Sequence, residues 1–381
     1  MARITRIATT CLVRDLHTPF VTALRRTTQV VSVAVLITDA DGRTGHGEAP
    51  QVWRVTGESL EGIEACVRGP LSDALVGSDP GSTGTAELRS RLEGAVVGNG
   101  GARAACEMAV LDLLAQGTGQ TLAGLLGGSA DAVATDVTIA ADGVAWTPET
   151  LAAAGFDRVK IKVGVDEADI DRVVRIHDSS PGVPLRLDAN QAWDVERATA
   201  VVEGLRTAGV PLEFLEQPLP AWDIAGHAEL RRRFDVPIVL DESVFTIHDL
   251  RRAIDAGAAD IVNIKLAKCG GLGAGLAIGR EARAAGLGVM VGSMMESELG
   301  VSAAAALAAT LAPDRVHDLD AAWWSIAVDD AASPYRGGRF HLADSPGLIH
   351  AATRVLRGSH GPQVSSIDAS AAFSAASVGS A

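Results

Sequence analysis

Short apolar runs recur along residues 131–325 of the 381-residue chain, and most of them end in an acidic or basic side chain. The charged residues that end five successive runs are 24 to 28 residues apart. A strand, a crossover helix and two loops need about that length. The spacing therefore predicts parallel strands that alternate with helices, and eight such runs predict a closed barrel. The runs are ATDVTIA, RVKIKVG, PLRLDAN, LEFLEQP, PIVLDES, DIVNIKL, GVMVGSM and VHDLDAA.

Residues 1–130 have a different pattern, which predicts an α+β domain. QVVSVAVLITDADGRTGHGEA alternates around an Asp-Gly turn and predicts a hairpin, whereas AACEMAVLDLLAQGTGQTLAGLLGG predicts helices that end at glycine. Residues 361–381 are small and polar, so we expect a flexible tail there.

Composition excludes several classes of function. The 33 basic and 47 acidic residues give a net charge of -14, which argues against a nucleic-acid partner. We find no apolar run of membrane-spanning length and no leader, so we expect a cytoplasmic protein without a membrane partner. The four cysteines show no CxxC spacing that would indicate zinc or redox chemistry.

Lysines end two of the predicted strands. Lys160 and Lys162 in the second run share one face, because side chains two residues apart point the same way. Lys265 ends the sixth run. Strands two and six lie on opposite sides of a closed eight-stranded barrel, so Lys162 and Lys265 are expected to face each other. A solvated edge strand would explain a lone KIK motif, but not charges at five successive strand ends.

Three carboxylates end the strands between these lysines: Asp188, Glu216 and Asp241. Like charges raise each other's pKa, so three inward carboxylates require a cation to remain ionised together. A ligand set of oxygens, without histidine or cysteine, suits Mg²⁺. Helix N-capping is the alternative role for Asp188 and Asp241.

The lysines and the metal site together indicate proton transfer at an α-carbon. Magnesium would stabilise the charge that develops on a substrate carboxylate when its α-proton leaves. Lys162 is the candidate base, with a pKa lowered by the metal and by Lys160, which also helps to hold the carboxylate oxygen. Lys265 would return a proton to the opposite face and so invert the carbon.

Several motifs occur in order at barrel spacing: KIKVG, RLDANQAW, EQPLP, DESVF, NIKLAKCGGL and MVGSMMES, preceded by GHGEAP and AACEMAVLDLLAQ. With them the sequence resembles the enolase superfamily, in the muconate-lactonising-enzyme subgroup, and is most similar to dipeptide epimerases. The resemblance implies an α/β fold with an enolase-like (β/α)7β barrel, an α+β capping domain, and a C-terminal segment, residues 326–360, that returns to the cap. It implies the same metal and lysine roles that the spacing indicates.

The substrate site follows from the resemblance and from the residues near the pocket. The seventh run ends in VGSMMES without histidine, which argues against a histidine as second base. Asp318 and Asp320 match an acidic pair that binds a substrate ammonium, although ion pairs with nearby arginines would also explain them. Arg25 matches an arginine that binds a glutamate side chain, with a mobile basic loop as the alternative. Thr138 and Met295 are expected to line the pocket.

The implied function is magnesium-dependent epimerisation of a dipeptide, L-Ala-D/L-Glu, by an isomerase that would serve murein peptide recycling. A cycloisomerase, an o-succinylbenzoate synthase, an N-acylamino-acid racemase and an epimerase for another dipeptide are alternatives that keep the same site. A barrel that has lost catalysis and serves as a binding protein is a further alternative. The sequence is compatible with a homo-oligomer. Trp53, Arg54, Trp323 and Trp324 are bulkier or more charged than the resemblance leads us to expect.

Overall fold

The structure of the protein is a computed structural model that describes residues 2–24, 26–140, 155–326, 332–357 and 365–368. Its first part is an antiparallel sheet with helices packed on it, as the sequence predicted. The hairpin turn lies at Gly42, whose φ of 81° is one that glycine adopts without strain. The first three strands are β1 (Ile4–Val21), β2 (Arg26–Asp39) and β3 (Thr44–Pro50).

The helices of this part cover one face of the sheet. Gly45 and Gly47 on β3 allow a close approach, because a Cβ there would lie 2.0 and 1.9 Å from helix carbonyl oxygens of Ala109 and Ala105. The helices are α1 (Leu60–Cys66), a π-helical turn (Val67–Leu71), α2 (Ser72–Leu75), α3 (Pro80–Thr83), α4 (Thr85–Ala95), α5 (Gly100–Thr118) and α6 (Leu122–Leu126). Most of α5 is buried, since it lies between this sheet and the second part of the chain.

The second part is the predicted parallel barrel. Its strands are β4 (Ala132–Thr135), β5 (Val137–Ile139), β6 (Val159–Lys162), β7 (Leu185–Asp188), β8 (Leu212–Glu216), β9 (Ile238–Leu240), β10 (Ile261–Lys265), β11 (Gly288–Gly292) and β12 (Val316–His317). Strands β5 to β11 pair in chain order. The last strand closes the ring, because Asp318 N donates to Val291 O at 3.0 Å and Asp136 N donates to His317 O at 3.0 Å.

The barrel strands are followed by helices that pack outside them. These are α7 (Asp169–Ser179), α8 (Val195–Thr207), α9 (Ile224–Arg233), α10 (Ile247–Ala256), α11 (Leu266–Cys269), α12 (Leu272–Ala284) and α13 (Glu298–Leu311). Side chains at several N-caps satisfy the first backbone N–H groups, as Thr246 and Asp249 do reciprocally at α10. The connection from β5 to β6 includes residues 141–154, which lie outside the described residues.

The chain that follows β12 packs on both parts of the molecule. It contains a 3₁₀ helix (Ala321–Ser325), β13 (Tyr335–Arg336), β14 (Arg339–His341), α14 (Ile349–Arg357) and β15 (Ser365–Asp368). Strand β14 pairs antiparallel with β4, and β15 pairs antiparallel with β1. Leu348 N donates to Asp112 Oδ1 of α5 at 2.7 Å. Residues 365–368, within the segment expected to be a flexible tail, therefore form a strand.

Two buried glutamates join the first part of the chain, residues 2–130 and called the capping part below, to the barrel. Glu48 on β3 accepts hydrogen bonds from Ser297 N and Gly300 N, at 3.0 and 2.9 Å, at the start of α13. Glu107 on α5 accepts one from Gly273 N at the start of α12. Carboxylates at helix N-termini accept hydrogen bonds from N–H groups that have no partner within the helix, and they interact favourably with the positive end of the helix dipole. The contacts fix the cap against the barrel.

Among the described residues, no helix has the length and apolar character that crossing a membrane requires.

Candidate active site

The two lysines of β6 point into the barrel and are almost completely buried. Lys160 Nζ lies 2.6 Å from Asp318 Oδ1 and 3.5 Å from Glu216 Oε2. Burial opposes its positive charge, but Asp318 and Glu216 outweigh that effect and raise the pKa of Lys160 well above its usual value. Lys162 Nζ lies 2.5 Å from Asp188 Oδ2. Carboxylates of other strands are therefore the partners of these lysines within the fold.

Asp188, Glu216 and Asp241 follow one another at the ends of β7, β8 and β9, and their exposures are 0%, 0% and 2%. Burial raises the pKa of Glu216 to about 7, and Asp188 adds to this against the opposing charge of Lys160. Asn263 Nδ2 donates to Glu216 Oε1 at 2.7 Å. The middle carboxylate is thus a group whose ionised form a nearby cation would favour.

Lys265 approaches the same region from β10. Its Nζ lies 2.8 Å from Asp241 Oδ2 and 3.6 Å from Asp318 Oδ2. Burial lowers the pKa of Lys265, but these two carboxylates reverse the effect and raise it. Strands β6 and β10 are separated by β7, β8 and β9 along one side of the ring, so Lys162 and Lys265 enter the pocket from opposite sides.

The donor set fits a hard divalent cation. The side chains at the three strand ends supply oxygen ligands only, and Glu216 Oε2 accepts no hydrogen bond from the described residues. In the ranges that the structure describes, no three acidic, histidine or cysteine side chains converge as the ligands of a single ion. Lysine ammonium groups neutralise Asp188 and Asp241 in this conformation. Binding a cation would require these carboxylates to turn from the lysines.

The sequence interpretation missed two amide residues, Gln217 and Asn190, that hydrogen-bond beside the carboxylates. Gln217 Oε1 accepts from Asp241 N at 2.9 Å and from Ser243 N at 3.1 Å. Asn190 N donates to Asp188 Oδ1 at 2.9 Å. Gln217 and Asn190 have φ values of 38° and 43°, which are uncommon for residues other than glycine and concentrate at functional sites. The sequence offered a signal for both residues, because each amide follows a strand-end carboxylate closely. Asn190 lies two residues after Asp188 in DANQ, and Gln217 lies directly after Glu216 in EQP.

Two charged residues were also missed. Lys268 Nζ lies 2.6 Å from Asp241 Oδ1 and donates to Asn263 O at 2.9 Å, so two lysines hold Asp241. Burial opposes the charge of Asp241, but Lys265 and Lys268 together keep its pKa below the usual range. Glu242 lines the pocket, and burial with the charge of Asp241 raises its pKa to about 8.

The acidic pair after β12 consists of two side chains with different surroundings. Asp318 is held by Lys160, whereas Asp320 Oδ2 accepts from Thr138 N at 2.7 Å and from Trp324 Nε1 at 3.0 Å. Burial opposes the charge of Asp318, but Lys160 and Lys265 lower its pKa. Burial, reinforced by Asp318, raises the pKa of Asp320. Both residues line the pocket.

The pocket encloses a cavity of about 80 Å³ between the barrel and the capping loops. Thr138 and Met295 line it, where the sequence places them, and Arg25 lies outside the described residues. Arg54 also lines it, and none of the described residues forms a hydrogen bond or ion pair with its side chain. The capping part contributes Phe20, Thr22, Leu24, Arg54 and Val55.

The loop that carries Arg54 is anchored to the barrel. Val52 packs against Ala267 and Met294, which lie close in sequence to Lys265 and Met295. Trp53 is 60% exposed and does not line the pocket, whereas Arg54 and Val55 do. The loop thus places a cation at the pocket mouth.

The chain is similar to known proteins over most of its length. Residues 144–349 match the family of enolase C-terminal domain-like proteins, and residues 4–127 match the mandelate racemase / muconate lactonizing enzyme N-terminal domain. The L-Ala-D/L-Glu epimerase of Bacillus subtilis (strain 168) is 36% identical over 367 residues, which cover 93% of this chain and 99% of that protein. A solved substrate-liganded complex of the L-Ala-D/L-Glu epimerase from Bacillus subtilis has a TM-score of 0.84 at 36% identity, covering 91% of this chain and 98% of that one. The dipeptide epimerase from Enterococcus faecalis V583, solved with Mg and L-Leu-L-Tyr, has a TM-score of 0.81 at 30% identity, covering 91% and 99%.

A capped barrel with lysines on opposite strands and carboxylates at the strand ends between them has the architecture of the enolase superfamily. Within that superfamily, the chain belongs to the mandelate racemase / muconate lactonizing enzyme family, with matches to both of its domains. The relatives named above are epimerases and therefore isomerases.

Proposed function

We propose that the chain is a magnesium-dependent dipeptide epimerase that inverts an α-carbon by moving a proton between two lysines. The observation that carries the proposal is the entry of Lys162 and Lys265 into one pocket from opposite strands. An α-carbon bound between the two lysines has one amine on each face. Removal of its proton on one face and return of a proton on the other face inverts its configuration. The named activity of the relatives supports this reaction.

The lysines exchange roles with the direction of the reaction. Lys162 takes the α-proton at its Nζ, and Lys265 delivers one from its Nζ to the opposite face. Asp318, which is not one of the proposed metal ligands, favours the protonated form of Lys265 and so suits it to the role of acid. For the other epimer, Lys265 is the base and Lys162 is the acid.

The site supports a divalent cation as the third component. Asp188, Glu216 and Asp241 would hold it, and magnesium bound there would stabilise the negative charge on the substrate α-carboxylate as the proton leaves. Lys160 would hold a carboxylate oxygen from β6. The buried, oxygen-only donor set and the Mg in the Enterococcus faecalis complex support this choice.

The acidic pair would bind the amino terminus of the dipeptide. An ammonium group needs acceptors in a buried site, and Asp320 with Asp318 supplies them beside the lysines. Thr138 and Met295 would form the adjoining wall.

The side chain of the substrate would be acidic. Arg54 places a guanidinium without an ion-pair partner among the described residues at the pocket mouth, where it could bind a carboxylate. Arg25 would add a second guanidinium from the neighbouring capping loop. The preferred substrate would then be L-Ala-D/L-Glu, and the enzyme would serve murein peptide recycling in the cytoplasm.

Proton NMR in deuterated water tests the proposal. The purified chain is incubated with Mg²⁺ and, separately, L-Ala-L-Glu, L-Ala-L-Gln, L-Ala-L-Leu and an N-acylated glutamate. We expect loss of the α-proton signal and appearance of the diastereomer, fastest with L-Ala-L-Glu. Activity on the N-acylated acid without exchange of any dipeptide would contradict the proposed reaction. Faster epimerisation of L-Ala-L-Leu would retain the reaction and contradict the acidic substrate.

A further inference from the structure

Trp324 connects the acidic pair to the capping part of the molecule. It lies in the 3₁₀ helix after β12, is 1% exposed, and donates from Nε1 to Asp320 Oδ2 at 3.0 Å. Thr138 N donates to the same oxygen at 2.7 Å. Two donors from separate elements thus fix one oxygen, and the other, Oδ1, accepts no hydrogen bond from the described residues.

Asp320 differs from Asp318 in its charge balance. Lys160 Nζ lies 2.6 Å from Asp318 Oδ1, whereas in the described part of the chain Asp320 has no lysine or arginine within ion-pairing distance. A buried carboxylate without a cationic partner is unfavourable unless a ligand supplies the charge. Asp320 is therefore the better placed of the two to receive an ammonium group.

The Trp324 ring also contacts the capping strand β1. His17 stacks on it with a centroid distance of 5.4 Å and an interplanar angle of 27°, and Phe20 meets it edge-on at 5.4 Å. Phe20 lines the pocket. The indole is held between β1 and Asp320, so its N–H has little freedom to turn away from the carboxylate.

We propose that Trp324 is a positioning residue that orients Asp320 and thereby makes the site prefer substrates with a free amino terminus over N-acylated ones. The inference depends on the proposed function. Trp324 holds Oδ2 in place so that Oδ1 meets the ammonium group. An N-acylated substrate has no ammonium group and gains nothing from this arrangement.

The test compares L-Ala-L-Glu with N-acetyl-L-Ala-L-Glu in the wild-type chain and in Trp324→Phe, which keeps a ring but removes the N–H donor. For the free dipeptide we expect KM to rise about tenfold to a hundredfold, the range for loss of one hydrogen bond to a charged group, with a smaller change in kcat. Exchange of the N-acetylated α-proton is expected to keep its wild-type rate, which also shows that the variant is folded.

Two further variants separate positioning from packing. Trp323→Phe alters a neighbouring ring, 5.1 Å from Trp324, and is expected to leave the ratio of the two substrates unchanged. Asp320→Asn is expected to lower that ratio at least as far as Trp324→Phe does. Adding Trp324→Phe to Asp320→Asn should lower it no further, because the tryptophan acts through the carboxylate.

Three results would overturn the inference. An equal loss of activity on both substrates in Trp324→Phe would make the residue a packing element. A further fall of the ratio in the double variant would show that Trp324 acts on the substrate by another route. The wild-type chain is measured before any variant. If it exchanged the α-proton of the N-acetylated substrate but not that of any free dipeptide, both the inference and the proposed function would be overturned.

Discussion

The barrel side and the capping side of the pocket are built in contrasting ways. On the barrel side, buried Lys162, Asp188, Asp241 and Lys265 form ion pairs of 2.5 and 2.8 Å. On the capping side, Arg54 is exposed and has no ion pair with the described residues. Proton transfer therefore depends on charges fixed by the barrel, whereas selectivity depends on a wall that can vary without disturbing them.

Glu216→Gln should have the largest effect, because it alters the barrel side. The amide keeps the shape but removes the central negative charge, and we expect kcat/KM to fall about a thousandfold, as loss of several kcal/mol of charge stabilisation gives. Isothermal calorimetry should show weaker Mg²⁺ binding. Glu213→Gln on the same strand is the control, since Glu213 pairs with Arg186 away from the pocket. Unchanged Mg²⁺ affinity in Glu216→Gln would contradict its role as a ligand.

Arg54→Glu should change selectivity and leave the proton transfer intact. Repulsion should lower kcat/KM for L-Ala-L-Glu about tenfold or more, while kcat/KM for L-Ala-L-Lys should rise. Both rates can be read by NMR in one mixture. Trp53→Ala, next to it but outside the pocket, is the control. If the preference between the two dipeptides did not change, the contrast between the two sides would lose its support.

Glu48→Gln tests the junction that holds the two sides together. Glu48 accepts from Ser32 Oγ at 2.6 Å, from Ser297 N and from Gly300 N. An amide cannot accept all of these bonds, so we expect the free energy of unfolding to fall by about 2 kcal/mol. Urea denaturation measures this change. Glu61→Gln on the exposed side of α1 should have almost no effect, and an equally small effect at Glu48 would count against the interpretation.

The smallest expected effect is a pH dependence of stability at Glu107, the second buried glutamate that joins the capping part to the barrel. Burial raises the pKa of Glu107 from 4.5 to about 7, against the opposing Gly273 N–H and Arg89. Since the folded state then binds more protons than the unfolded state between these pH values, this group makes folding more favourable as the pH falls from 7 towards 4.5. Compared with Glu107→Gln, the wild-type chain should therefore gain Tm over that interval. Parallel Tm curves for the two proteins would contradict the shift.

The strand ends could be predicted because their side chains repeat with the length of one strand and helix. Lys160, Lys162, Asp188, Glu216, Asp241 and Lys265 lie at the same edge, since parallel strands present their carboxyl ends together. The eight barrel runs were predicted as strands for the same reason, and the structure confirms them, with the first run divided into β4 and β5. The capping hairpin was predicted from its alternating pattern and Asp-Gly turn, and it too is confirmed.

The contacts of the supporting residues could not be predicted from the local sequence pattern, even where a motif shows the residue itself. Gln217 and Asn190 have positive φ angles, which the local sequence does not indicate for residues other than glycine. Lys268 follows Lys265 by three residues on a short helix, and only the fold shows that it reaches Asp241. The bond from Trp324 to Asp320 depends on a 3₁₀ turn, which has no distinct sequence signature here. Long-range geometry, rather than residue type, decides these roles.

In the proposed mechanism, two lysines serve opposite faces of one α-carbon. The direct test follows α-proton exchange of L-Ala-L-Glu and L-Ala-D-Glu in deuterated water, at saturating Mg²⁺, with the variants Lys162→Ala and Lys265→Ala. The Tm of each variant is first compared with that of the wild-type chain, to show that both variants are folded. We predict that each variant exchanges only one epimer, that the two variants differ in which one, and that neither forms the diastereomer. Exchange of both epimers by either variant, or epimerisation without Lys265, would contradict the account.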